Sequence, residues 1–340
     1  MENRSKEEVL ADKEERLAVF LSTQEGKDAM ADAVSFGLRD ELKAPRHEEQ
    51  QYLDLMAKIV YKGVDRPNRT GTDARSIFTE SMRFDLTDNK IPLFTTKKVY
   101  WKAVVLELLW FINGQTDSKI LEAENVNIWK GNSSREYLDK KGLEYYDEGE
   151  CGPIYGFQWR NFNGPYRGDP SDPMEVENID QLARVLTDIK NNPNSRYHIV
   201  SAWNPQQLQE MALPPCHMMY MFYVANGELS CTMIQRSCDT LLGVPFNVAS
   251  YALLTHMVAQ VCGLKAKEFN WVGLDVHLYK NHFEQVKEQI SREPRKFPTL
   301  ELVKPEGDTL IEQLENYKFK ENIILHDYDP HPAIKAEMAI

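Results

Sequence analysis

The sequence predicts an α+β chain in which apolar helices back a sheet built around one hairpin. Three observations predict it. Met218 to Val224 and Leu229 to Gln235 are apolar runs joined by Ala225-Asn226-Gly227-Glu228, and Asn-Gly between such runs is a strong hairpin signal. Tyr100 to Asn113 and Val248 to Val261 are apolar helical runs closed by Gly114 and Gly263, the residue helices favour just past their last turn. Trp271 to Tyr279 alternates as a strand, with Asp275, His277 and Tyr279 on one face and Val276 and Leu278 on the other.

Bulk properties bound the function. At 340 residues and 42% hydrophobic content the chain can bury a full core. Its net charge of -12 argues against a nucleic-acid coat, which needs clustered Lys and Arg against phosphates. Cys151, Cys216, Cys231, Cys238 and Cys262 form an odd set with no Cys-x-x-Cys pair, so neither a disulfide frame nor a zinc site is expected. There is no N-terminal apolar leader and no run of eighteen apolar residues, so the expectation is a cytoplasmic protein without a membrane span.

Residues 1–45 are dense in charge and read as a helical N-terminal extension; Ala44-Pro45-Arg46 marks a boundary, and 46–340 form the main domain. Glu48 to Lys62 carries Tyr52, Leu53, Leu55, Met56, Ile59 and Val60 at helical spacing. Arg66 to Thr72 is a polar turn able to set an arginine fork and backbone N–H groups on a phosphate. Glu107 sits among Val104, Val105, Leu106, Leu108, Leu109, Trp110 and Phe111. Either it lies on a wet stripe, or it is buried with a raised pKa suited to moving protons near neutrality. Asn127-Ile128-Trp129 reads as a strand end before a helix, Cys151 to Gly156 as a tight turn carrying Tyr155, and 163–178 as a loop. A helix over Ile179–Lys190 and a strand over Arg196–Trp203 follow.

Leu213-Pro214-Pro215-Cys216-His217 is the stretch on which function turns. Two prolines fix φ and remove two N–H donors, so the thiol sits on a rigid, presented turn. Gln235-Arg236-Ser237-Cys238-Asp239 lies at the other end of the hairpin. Antiparallel strands of nearly equal length make Cys216 and Arg236 neighbours, and a nearby guanidinium can lower a thiol pKa from about 8.5 toward neutrality. Asn247, just before the apolar run, is either a helix N-cap or a ligand-facing amide.

These words together resemble the thymidylate synthase family from about Glu48 to Ile340. The matching stretches are Arg69-Thr70-Gly71-Thr72, Thr95-Thr96-Lys97-Lys98, Glu107 to Phe111, Gly152 to Arg160, Ala202 to Pro205, Met211 to His217, Gln235 to Asp239, Gly243 to Tyr251 and Pro330 to Lys335. The resemblance implies a three-layer fold whose mixed sheet forms a homodimer interface and carries helices on its other face. It implies that Cys216 attacks carbon 6 of the uracil of dUMP, and that 5,10-methylenetetrahydrofolate is the co-substrate, with no metal. Glu107, Tyr155, His217, Asn247 and Asp239 would complete the catalytic set. Arg69, Gln235, Arg236, Ser237, Asn247, His277 and Tyr279 would hold dUMP, joined by Arg196 from the partner subunit. Lys97, Ile128, Trp129, Asn132, Asp239, Leu242, Gly243, Phe246, Met338 and Ala339 would hold the folate. Alternatives with the same frame are a deoxyuridylate hydroxymethylase and a nucleotide- or RNA-binding homologue with impaired catalysis.

The chain differs from the family pattern at three places. Tyr197 replaces a second arginine, which removes a charge-assisted bond of about 1.5–3 kcal/mol. Leu274 replaces a glycine and costs about 1–3 kcal/mol if that backbone needs a positive φ. Asp73-Ala74-Arg75 replaces small or apolar residues, with Arg75 a candidate substitute for the missing guanidinium.

Overall fold

The computed structural model describes residues 46–67, 71–166 and 178–337. The N-terminal extension, Arg69, most of the 163–178 loop, Met338 and Ala339 lie outside the described residues. In chain order the elements are α1 (Gln50–Lys62), β1 (Val64–Arg66), β2 (Ala74–Asp85), α2 (Trp101–Ile112), α3 (Lys119–Ala123), α4 (Arg135–Lys140), α5 (Tyr155–Asn161), α6 (Gln181–Asn191) and β3 (Ile199–Ser201). There follow β4 (His217–Ala225), β5 (Glu228–Asp239), α7 (Gly243–Cys262), β6 (Lys265–Tyr279), α8 (Phe283–Ile290), β7 (Thr299–Leu302), α9 (Leu310–Glu315) and β8 (Ile323–His326).

Six strands form one mixed sheet in the order β1-β2-β6-β5-β4-β3. The β4–β5 hairpin turns at Asn226 (φ 54°) and Gly227 (φ 76°), left-handed backbone that suits those two residues and closes the antiparallel pair tightly. β5 and β6 run parallel, which needs a crossover, and α7 supplies it.

The sheet's two faces differ row by row. Phe222, Cys231, Phe269 and Phe84 lie side by side and buried, as do Val200, Tyr220, Met233, Trp271 and Met82. The alternating rows, Ile199–Met221–Thr232–Asn270–Arg83 and Ser201–Met219–Ile234–Val272–Ser81, are half-buried or exposed. Helix α7 packs on β5 and β6 and meets α2, which packs on α5. Gly156 makes that last contact close: a Cβ there would stand 2.8 Å from the Phe111 carbonyl oxygen.

Several local expectations change. Asn127 to Trp129 is a turn, not a strand end: Lys130 N–H donates to the Asn127 carbonyl and Ser133 N–H to that of Trp129. The Trp129 ring joins Trp110, Phe111 and Tyr155 in an aromatic cluster that local pattern does not announce. Tyr155 opens helix α5, so the turn ends at Ile154, two residues earlier than expected. The strand near Arg196 shrinks to three residues. Leu274 has no positive φ; the left-handed residue is Thr79 (φ 64°), which stands between the pairs Phe78↔Asp275 and Glu80↔Gly273 and so faces Leu274 from β2. A β-branched residue there is a true outlier. Arg75 does not reach out to replace a guanidinium: Nε donates to Asp65 Oδ1 at 2.6 Å and Nη1 to the Val60 carbonyl at 2.7 Å.

Candidate active site

The hairpin mouth brings the predicted nucleophile and its cation together. His217 pairs with Gln235, and Arg236 N–H donates to the Cys216 carbonyl at 2.8 Å. The Arg236 guanidinium is turned onto the proline turn itself, Nε donating to the Pro215 carbonyl and Nη2 to that of Pro214, both at 2.8 Å. It also lies over the Trp203 ring, 5.3 Å from its centroid. The guanidinium answers the carbonyls of two residues whose own nitrogens carry no proton to donate, so the rigid turn and the arginine are one device. Cys216 is a partly buried thiol outside any disulfide, and its backbone N–H donates to Tyr155 Oη at 2.7 Å.

Behind the thiol the site is aromatic and dry. The His217 ring stacks on Tyr155 with centroids 4.1 Å apart, and its Nδ1 is 2.7 Å from Tyr251 Oη. Burial pushes the His217 pKa down to about 3, so the ring is neutral at physiological pH. Burial also lifts the Tyr155 phenol well above its usual range, which keeps its proton on. The sequence did not single out Tyr251, although it stands four residues after Asn247 and therefore on the same side of α7.

Glu107 faces this cluster from α2. Desolvation raises its pKa to about 7, opposed in part by Trp129 Nε1–H, which donates to Oε1 at 2.7 Å. Of the two sequence readings, the structure shows a desolvated, half-buried carboxylate and not a side chain on a wet stripe.

Asn247 is an interior residue of α7, which starts at Gly243, so it is no N-cap. Its orientation follows from a chain of donors. An indole N–H can only donate, and Trp271 Nε1 gives its proton to Gln235 Oε1 at 2.9 Å. Gln235 Nε2 then donates to Asn247 Oδ1 at 3.0 Å, and also to the Ser237 carbonyl at 3.0 Å. The Asn247 amide is thereby held with Oδ1 as acceptor and Nδ2 as donor, an edge complementary to a ring carbonyl beside a ring N–H. Sequence reading named Gln235 and Asn247 but missed Trp271, whose role appears only when β5, β6 and α7 are packed.

Asp239 ends β5 and receives the N–H groups of Leu241 and Leu242 on Oδ1, both at 3.1 Å, where the chain turns into α7. Gly243 and Phe246 lie in that helix's first turns, and Leu242, Phe246 and Ile128 are partly buried apolar surface. Lys97 is buried, donates to the Leu241 carbonyl, and has its pKa lowered to about 8 by desolvation, with Asp239 pulling the other way. Asn132 lies in a single helical turn after Trp129. An acceptor, a buried ammonium and flat apolar walls suit a heterocycle with ring N–H groups.

His277 and Tyr279 share a face of β6, their rings edge to face at 5.3 Å, and Asp239 pairs with His277 across β5. Ser237, partly buried, pairs with Asp275. Arg196 does not join its own chain's cluster. It is exposed three residues before Ile199, which pairs with Met221; it therefore lies toward the turn end of β4, roughly 25 Å along the strand from Cys216.

A thymidylate synthase family model matches residues 50–340. Human thymidylate synthase is 48% identical over 302 residues, 89% of this chain and 94% of the human protein. Thymidylate synthase of Ascaris suum is 50% identical over 293 residues, 86% of this chain and 97% of that protein. A bifunctional dihydrofolate reductase-thymidylate synthase of Zea mays is 48% identical over 314 residues, 92% of this chain but 59% of the maize protein. The chain thus spans less than two thirds of the length of the bifunctional relatives it matches. With most of its length matched by that model and by these relatives, the chain belongs to the thymidylate synthase family.

Proposed function

We propose that the chain methylates dUMP to dTMP, consuming 5,10-methylenetetrahydrofolate and releasing dihydrofolate. The observation that carries the reading is the hairpin register together with the packing of α7: the register sets Cys216 against Arg236 and His217 against Gln235, and α7 brings the Asn247 amide onto Gln235. A nucleophile and a group that reads a pyrimidine edge are therefore neighbours.

The Cys216 thiolate adds to carbon 6 of uracil, and carbon 5 becomes the nucleophile; covalent catalysis replaces one hard substitution with two easier steps. Asn247 accepts from ring N3–H and donates to O4, which admits uracil and disfavours cytosine. Glu107, with a pKa of about 7, manages proton transfer at the base, supported by the Tyr155 phenol and the neutral His217 ring. The folate co-substrate supplies the one-carbon unit and the hydride; Trp129, Leu242 and Phe246 wall its ring from water while Asp239, Lys97, Ile128, Asn132 and Gly243 hold it. Met338 and Ala339 are assigned to the closing tail, and Arg69 to the phosphate.

We assign the active form to a homodimer. Met219, Met221, Ile234 and Val272 make the outer sheet face apolar, and Phe78 is 81% exposed. A second copy on that face would bring its Arg196 to this chain's phosphate position, which explains why Arg196 lies so far from its own cysteine. Five cysteines outside any disulfide suit a reducing compartment, and we place the chain in the cytoplasm. Among the described residues no helix is long and apolar enough to cross a membrane.

The test is turnover of dUMP with the folate, read by mass spectrometry. Thymidylate with equimolar dihydrofolate is expected, and 5-fluoro-dUMP with the folate should trap a covalent complex on Cys216. A hydroxymethyl product, or binding without turnover, would replace the reading.

A further inference from the structure

The β6 residue Asp275 belongs to none of the roles assigned so far, yet it sits between two groups that need explaining. Its Oδ2 accepts from Arg66 Nη1 at 2.9 Å, and its Oδ1 lies 3.5 Å from His277 Nδ1. The same Nδ1 is 3.2 Å from the Asp275 backbone carbonyl. A carbonyl and a carboxylate only accept, so Nδ1 carries the proton, and in the neutral ring Nε2 is left with the lone pair. We infer that Asp275, anchored by Arg66, is a positioning residue that fixes the His277 tautomer, so that Nε2 is an acceptor reserved for a ligand hydroxyl.

This rests on the dUMP reading, in which His277 and Tyr279 meet the sugar. A 3′-hydroxyl can give its proton to Nε2 and take one from the Tyr279 phenol beside it. A sugar lacking that hydroxyl leaves Nε2 without that donor. Specificity at the 3′ position would then be set by a carboxylate that never touches the substrate.

The arrangement makes a counter-intuitive prediction for Asp275→Asn. Arg66 demands an acceptor, so the asparagine carbonyl turns to Arg66 and its NH2 faces the imidazole. Two donors then confront each other across the 3.5 Å gap, opposing the backbone carbonyl that still accepts from Nδ1–H, which shifts the balance toward the other tautomer and weakens Nε2 as an acceptor. Adding Arg66→Met frees the amide to rotate and restores an acceptor toward Nδ1.

The experiment measures binding of dUMP and of 2′,3′-dideoxyuridine monophosphate by titration calorimetry, with steady-state kinetics on dUMP. Wild type is expected to prefer dUMP by about tenfold or more. Asp275→Asn should reduce that preference to about twofold, raise KM, and leave kcat within about threefold; the double variant should recover most of the preference. A single variant that keeps the wild-type preference, or a double variant no better than the single, overturns the inference. If Asp275→Asn does not fold, 15N NMR of the wild-type imidazole decides: a protonated Nδ1 and bare Nε2 is expected, and the opposite tautomer overturns it. Wild type that binds neither nucleotide defeats the dUMP reading instead, and the tautomer measurement still stands on its own.

Discussion

The two ends of strand β4 are built on different plans. At the Cys216 end, side chains are committed: Arg236 to the proline carbonyls, Tyr155 to the Cys216 N–H, Gln235 to Asn247 and Trp271. At the turn end, Tyr223 is 64% exposed and, beside β3, Tyr197 is 82% exposed with Arg196 next to it in solvent. The first end is organised within one chain; the second has the character of surface awaiting a partner. With the proposed homodimer, half of the nucleotide site would be preorganised by folding and half by assembly, which would separate chemistry from affinity.

Substitutions at the two ends should break apart along that line. Cys216→Ala should remove at least about four orders of magnitude of turnover and all covalent capture of 5-fluoro-dUMP, read by denaturing mass spectrometry, without dissociating the dimer. Glu107→Gln should lower kcat by about 10²–10⁴ with a smaller change in KM. Its stability effect runs the other way. With the folded pKa raised from 4.5 to about 7, the carboxyl's contribution is fully present below about pH 4.5 and is lost as pH rises through 7. The glutamine variant should therefore match wild type in melting temperature near pH 4 and exceed it near pH 8, by ~3 kcal/mol at most.

At the open end the effects should be on association. Ile199→Asp together with Tyr223→Asp places charges on the outer face at that end and should raise the dimer dissociation constant by about a hundredfold in sedimentation, with activity falling in proportion to dimer. Tyr197→Arg should give the smallest change, about tenfold tighter dUMP binding with kcat unchanged, by restoring one charge-assisted bond. Loss of kcat from Tyr197→Arg, or intact dimers after the double substitution, would erase the contrast between the two ends.

What the sequence revealed follows the same division between local and assembled features. The hairpin was legible because Asn226-Gly227 is a local signal, and the Cys216–Arg236 neighbourhood followed from strand pairing alone. Helices α2 and α7 were legible from long apolar runs that end in glycine. Strand β2 was not, because Phe78 and Thr79 are both exposed and break its alternation. The supposed strand at Asn127–Trp129 failed because those side chains answer to Trp110 and Phe111, packed from another helix. Arg75 was misjudged since its partner Asp65 becomes visible only when β1 pairs with β2. The Asn247 amide could be named from its position, but not its direction, which depends on three elements meeting.

That direction has a consequence for how base preference can drift. The indole of Trp271 belongs to a fully buried row of the sheet, yet the polarity it imparts passes through Gln235 to the tip that meets a ring. Swapping the indole for phenylalanine would remove one of the two contacts that orient the Gln235 amide, leaving only its bond to the Ser237 carbonyl, so a change deep in the oily interior would loosen which nucleobase the proposed site welcomes at the rim. In the proposed site selectivity would be inherited from the core, and selection for tight packing would also guard against the wrong letter.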